Sequence, residues 1–161
     1  MAPFYPYLVS FAGTHDTPRI RTELGSDQLQ ILTLAAVLTM EGISLIYYGD
    51  ELGMEGGEDP DNRRAMRWDL VNSPLAQEIR ALANFRAQNA VLRRGSMEPV
   101  FAGDRALLFT RSIGEETCAV VINFGAEEAH LSGKFHKVLL GEAILAENGV
   151  RVPAMRYAVV R

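Results

Sequence analysis

A chain of 161 residues, 48% of them hydrophobic, can bury a core as one domain or two small ones. Its 16 Lys and Arg against 20 Asp and Glu leave a formal net charge of -4, and the basic residues are scattered apart from Arg63-Arg64 and Arg93-Arg94. No nucleic-acid surface is expected from such a pattern. The longest apolar run, "ILTLAAVLTM", is about half the length of a membrane span, so no membrane insertion is expected. Neither is a secretory leader. The single cysteine, Cys118, excludes an internal disulfide, and a cytoplasmic location is the default expectation.

Taken in chain order, "PYLVSF" (Pro6–Phe11) reads as a short strand buried on both faces. A helix follows, with Ser26 as N-cap, Asp27 in the first turn and an apolar stripe of Leu29, Leu32, Ala36 and Val37. Gly42 is its stop. "ISLIYY" (Ile43–Tyr48) reads as a second strand, closed by Gly49-Asp50-Glu51. Strand, helix and strand with short connections make a βαβ unit, hence a parallel pair. The next stretch, "GMEGGEDPDNRRAMRWD", has no periodicity and reads as a loop. Ser73 then caps a helix with Pro74 at its first position, and Leu75, Ile79, Leu82, Ala83 and Arg86 share one face. "QNAVLRRG" reads as turns.

Beyond Gly95 the character changes. "ALLFTRSI", "TCAVVINF", "KFHKVLLG" and "RYAVVR" are strand-like runs separated by short polar segments. They predict an antiparallel sandwich, and one expected to fold independently. The predicted boundary divides residues 1–95 from 96–161. Two parallel strands with two helices cannot cover both faces of a sheet, so the first half reads as part of something larger.

Functional residues of α/β barrels and open sheets sit beyond the carboxyl ends of the strands. His15-Asp16 occupies one such end and Tyr48-Gly49-Asp50-Glu51 the next. The plain alternative for "THDTP" is an Asx-type turn ahead of Pro18. The plain alternative for "GDE" is a solvated strand end.

The order of the pieces, strand, "THDTPR", helix, "LIYYGDELGMEGG", "DPDNRR", helix, "FRAQNAVLRRG" and a β domain, resembles the C-terminal part of the α-amylase family of glycoside hydrolases. It is most similar to the neopullulanase, cyclomaltodextrinase and maltogenic amylase branch. The resemblance implies an α+β fold class: the last βαβα portion, strands seven and eight, of a TIM-type (β/α)8 barrel, followed by an antiparallel β-sandwich. It implies that Asp16 stabilises the transition state by gripping the 2- and 3-hydroxyls of the sugar, and that His15 hydrogen-bonds the same sugar. Such bonds strengthen as the ring approaches an oxocarbenium ion, and a carboxylate makes them charge-assisted.

Arg19 is a candidate for the substrate rim, with an ion pair to a loop carboxylate as the equal alternative. Tyr48 and Trp68 are candidate stacking platforms, with packing of the barrel end and of the loop as the plainer readings. Arg63 and Arg64 are expected to pair with the local acids Glu55, Glu58, Asp59 and Asp61. Those acids lack the spacing of a calcium loop, and no metal or cofactor is expected. Glu41, Ser44 and Ala65 depart from the family pattern, in which proline is common.

A retaining glycosidase also needs a nucleophilic carboxylate and a second carboxyl acting as acid and base. The family's G-x-R-x-D motif is absent here. The expectation is therefore a fragment of a retaining α-glycosidase acting on α-glucans or maltooligosaccharides, inactive alone. The alternatives are a non-catalytic carbohydrate-binding or assembly module, and a subunit that completes a split barrel. The expected partners are the missing barrel half or a second copy of the chain, through exposed strands.

Overall fold

The computed structural model describes residues 5–161. The expected parallel pair is present but short: β1 is Val9–Ser10 and β2 is Ile43–Ser44, with Val9 opposite Ile43. Its ladder continues through Ile43 N–H to Leu8 O at 2.8 Å and Leu45 N–H to Ser10 O at 2.9 Å. Among the described residues the two strands pair only with each other. The expectation of burial on both faces is overturned, because Leu8, Val9, Phe11, Ile43 and Leu45 are all exposed. One face lies on the helices, with Ser44 Oγ donating to Val37 O at 2.6 Å and Ala12 and Ile46 packed on the core, and no layer covers the other among the described residues.

Two helices connect the strands. The short α1 (Ile20–Leu24) is an addition to the sequence reading, and it ends at Gly25 in the left-handed conformation. In α2 (Asp27–Thr39) the Ser26 hydroxyl accepts from Leu29 N–H, as its cap position predicts. The helix is buried well beyond the predicted stripe, with Leu32, Leu34, Ala35, Val37 and Leu38 all inside. Two of its polar side chains donate inward: Thr39 Oγ1 to Ala35 O one turn back, and the buried Gln30 Nε2 to Asp50 O beyond β2. Met40, rather than Gly42, is the C-cap.

Short 3-10 turns form at Asp50–Leu52, just before the predicted loop, at Asp61–Arg63 within it and at Trp68–Leu70 across its end. Ser73 and Pro74 open α3 (Pro74–Gln88), whose Leu75, Ala76, Ile79 and Leu82 are buried. The turn expected at "QNAVLRRG" is instead a helix, α4 (Ala90–Arg94), which buries Val91 and Leu92. An apolar pair at consecutive positions gives too little periodicity to distinguish one helical turn from a loop.

A five-stranded antiparallel sheet follows, in the order β3-β4-β5-β10-β7. It comprises β3 (Ser96–Ala102), β4 (Ala106–Ile113), β5 (Glu116–Asn123), β7 (Val138–Gly141) and β10 (Arg156–Val160). A three-stranded sheet of β6 (Ala129–Ser132), β9 (Gly149–Val152) and β8 (Ile144–Ala146) packs on one face. Alternation in β5 divides two cores: Val120 and Ile122 face α2, α3 and α4, while Ala119 and Val121 face Leu131, Val150 and Val152. The first core therefore joins residues on both sides of Gly95.

Buried polar contacts reinforce that junction. The fully buried Arg111 guanidinium donates from Nη1 to Thr39 O and from Nη2 to Gly95 O at 2.7 Å. Arg86 Nη1 donates to Leu38 O and Met40 O at 2.9 and 3.0 Å, closing the carbonyl end of α2. Glu41, a departure from the family pattern, accepts Met97 N–H at 2.9 Å. The Tyr157 hydroxyl donates to Glu78, and Gln28 Nε2 to Met155 O at 2.8 Å.

Candidate functional site

The turn after β1 carries His15 and Asp16. Both side chains are exposed, at 61% and 70%, with His15 Nε2 3.3 Å from Asp16 Oδ1. Threonines shape the turn: Asp16 N–H donates to Thr14 Oγ1 at 3.2 Å and Thr14 N–H to Thr17 Oγ1 at 3.1 Å. Both acceptors are hydroxyls three or fewer residues away, the habit of Ser/Thr turns.

The 3-10 turn at Asp61–Arg63 holds this segment from outside. The buried Asn62 donates from Nδ2 to His15 O and to Thr17 O, each at 2.8 Å. Arg63 Nε donates to His15 O at 3.2 Å, and its Nη2 lies 3.7 Å from Asp16 Oδ1. Arg63 also pairs with Asp59 at 3.0 Å, and Arg64 Nε with Asp61 Oδ1 at 2.7 Å. The amide of Gly57 and then Arg64 hold the Asp61 carboxyl below its ordinary pKa.

Arg19 is not at a solvent rim. Its side chain is fully buried, 3.1 Å from Asp50 Oδ1, and its Nη1 also donates to Tyr48 O. The guanidinium carbon lies 4.2 Å from the Tyr47 ring centroid and 4.6 Å from that of Tyr48, against two rings that meet edge to face with centroids 4.7 Å apart. Nε and Nη2 have no hydrogen-bond partner among the described residues. The ion-pair alternative describes this arginine, and the correction has a physical cause: the strand end after β2 folds over it. Gly49 permits that fold, because a Cβ there would meet the Met54 side chain and its φ of 86° is left-handed. Burial raises the Asp50 carboxyl to about 6 despite the opposing hydrogen bond and charge of Arg19.

Of the other candidates, Tyr48 belongs to this clamp through its carbonyl and one side of its ring, and Trp68 does not. Tyr48 is half-exposed and its hydroxyl donates to Arg64 O at 2.8 Å. Trp68 is 72% exposed, so it does not serve as the buried loop anchor that the plainer reading assigns it. Glu51 is turned back onto its own backbone, accepting Gly49 N–H at 2.7 Å. Sequence reasoning missed Asn62 and Gln30. Asn62 carries no signal in its own neighbourhood, because its partners lie far along the chain.

The family model "Alpha amylase, catalytic domain" matches residues 6–103. The chain is 37% identical to a cyclomaltodextrinase of Geobacillus thermopakistaniensis over 147 residues, which are 84% of this chain and 25% of that protein. It is 36% identical to neopullulanase 2 of Thermoactinomyces vulgaris over 120 residues, 71% of this chain and 20% of that protein. Among solved structures, a debranching enzyme of Nostoc punctiforme superposes with a TM-score of 0.83 at 28% identity, covering 96% of this chain and 33% of that one. The cyclic alpha-maltosyl-(1-->6)-maltose hydrolase of Arthrobacter globiformis superposes at 0.81 and 30% identity, covering 99% and 36%. The chain thus spans a quarter or less of these curated relatives and about a third of these structures. With the family match extending over more than half of its residues, the chain belongs to the alpha-amylase family of glycosidases, in the branch that includes cyclomaltodextrinases, maltogenic amylases and neopullulanases.

Proposed function

We propose that this chain forms one wall of the active site of a retaining α-glycosidase acting on α-glucans or maltooligosaccharides. Residues 1–95 belong to its catalytic barrel, with β1 and β2 as strands seven and eight, and residues 96–161 form its C-terminal β domain. Asp16 grips the 2- and 3-hydroxyls as the ring distorts, His15 binds the same sugar, and Tyr48 and Trp68 offer outer faces for stacking. The observation that carries this reading is the exposed His15-Asp16 pair on the turn beyond β1, inside the family-matched segment.

Catalysis requires a nucleophile and an acid that this chain does not offer. Asp50 is buried against Arg19, and Glu51 is engaged by Gly49 N–H. The remaining barrel units are the partner that completes the site. Support comes from the exposed Leu8, Val9, Phe11, Ile43 and Leu45 on the two-stranded pair, and from a mainly apolar cleft of about 320 Å³ whose lining includes Ile46, Leu52 and Ile79 with Tyr48, Glu51 and Arg80 among them. Self-association through the same surface is the competing occupant.

The expected result is no hydrolysis of a chromogenic α-glucoside or of maltotriose by the chain alone. Activity should appear when the preceding barrel units are supplied, and disappear with Asp16→Ala. Turnover by the isolated chain that survives repurification and is lost in Asp16→Ala would sink the proposal. Sedimentation gives a second expected outcome: the isolated chain self-associates or binds a hydrophobic dye. A dye-negative monomer at all concentrations contradicts an unpartnered apolar face.

A further inference from the structure

We infer that Asn62 is the positioning residue for Asp16, with Arg63 in a lesser supporting part. The inference rests on the reading of Asp16 as the sugar-gripping carboxylate. The geometry is a clip. The two carbonyls that bracket Asp16, those of His15 and Thr17, both accept from the single Nδ2 of Asn62 at 2.8 Å. A primary amide nitrogen carries two N–H groups, enough for both. Asn62 is fully buried, so packing sets its rotamer, and the backbone of Asp16 is held on both sides by a group that cannot swing into solvent.

The loop that carries Asn62 is itself fastened to the turn. Arg19 N–H donates to Gly56 O and Gly56 N–H to Thr22 Oγ1, each at 2.9 Å. A Cβ at Gly56 would stand 2.6 Å from Asp61 O, so only glycine lets the loop close on itself and deliver Asn62. Arg63 adds a direct but exposed contact, 3.7 Å from Asp16 Oδ1, and is steadied by Asp59 at 3.0 Å. The backbone beneath the carboxylate is thereby fixed while the carboxylate stays 70% exposed. That is the division a gripping residue needs: rigid support, open acceptor lone pairs.

The test has two arms. In the completed barrel, Asn62→Ala should lower kcat about 30- to 100-fold with KM within about 3-fold, the signature of misplacing a transition-state contact. Added to Asp16→Ala it should lower kcat no further, since the clip acts through Asp16. Wild-type kcat in Asn62→Ala, or the same loss again in the Asp16→Ala background, overturns the inference. The second arm uses this chain alone. Amide order parameters at Asp16 and Thr17 should fall from about 0.85 to below about 0.6 in Asn62→Ala. Unchanged order parameters overturn the inference as well. Full activity in Asp16→Ala would refute the functional reading, and the order parameters would then judge the clip by themselves. Asn62→Ser, which keeps one donor, carries the same comparisons if the alanine variant does not fold, and Arg63→Met, which removes the donor to His15 O and the ion pairs with Asp16 and Asp59, should show a smaller loss of the same kind.

Discussion

Arg19→Met is expected to destabilise the chain by about 3–5 kcal/mol at neutral pH, because it leaves the Asp50 carboxylate buried without its cation. Both side chains are almost wholly enclosed, at 0% and 2% exposure. The substitution also removes the donor to Tyr48 O and the cation beside the Tyr47 and Tyr48 rings. The loss should depend on pH in a definite direction. Asp50 has its carboxyl raised from 3.8 to about 6, chiefly by burial. A carboxyl raised on folding favours the protonated fold. Its contribution is fully present below pH 3.8 and is lost as pH rises through about 6. For the parent chain that amounts to roughly 3 kcal/mol across the window. Arg19 is the group that pulls the carboxyl down, so Arg19→Met should push the titration higher and enlarge its span. The variant and the parent should therefore converge on acidification. Removing both charges, in Arg19→Met with Asp50→Asn, should recover part of the single-variant loss. Urea unfolding at a series of pH values measures all three. A variant within about 1 kcal/mol of the parent at pH 7, or a deficit that does not shrink in acid, contradicts this account.

The same residue shows where a sequence can and cannot be read. Local signals survived: Ser26 and Ser73-Pro74 cap their helices, and the alternation in "ALLFTRSI" marks β4 from Ala106 to Ile113. Each depends on a few neighbouring residues. The placement of His15 and Asp16 on the turn after β1 was legible because a strand end is a local event. Arg19 was not. Whether it points to solvent or inward depends on Tyr47, Tyr48 and Asp50, brought over it by the turn at Gly49. Asn62 was missed for the same reason, since its two acceptors belong to a separate turn. Strand β3 escaped because Pro99 and a shift of register beside it disturb the alternation, as an edge strand tolerates. The short β6, β8 and β9 are defined by pairing with one another more than by composition. The apolar runs flanking β1 and β2 looked like interior strands because their composition is interior. The second layer such composition calls for does not lie against them among the described residues.

A chain beginning at Ser96 is expected not to fold cooperatively, contrary to what its regular strands and turns suggest. The five-stranded sheet has two faces and only one is covered from within residues 96–161. The other face presents Phe109, Val120, Ile122, Tyr157 and Val159, whose cover is Leu32, Leu34, Leu38, Leu75, Ile79, Leu82 and Leu92. Exposing each such side chain costs about 1.5–3 kcal/mol. Together these approach or exceed the 5–15 kcal/mol, roughly, by which a whole domain is stable. The polar contacts point the same way. Without the first half, Arg111 loses both Thr39 O and Gly95 O as acceptors, and Tyr157 loses Glu78. The buried guanidinium already has its pKa lowered to about 10 by burial, so it depends on those carbonyls for compensation. The expected observations are a broad, non-cooperative thermal transition and strong binding of a hydrophobic dye by the shortened chain. Restoring residues 26–95 should return a sharp transition, because α2, α3 and α4 supply the missing cover. A sharp melt with dispersed amide resonances from residues 96–161 alone would show that the inner sheet does not need that cover. The helices would then be a passenger of the β domain rather than half of its core.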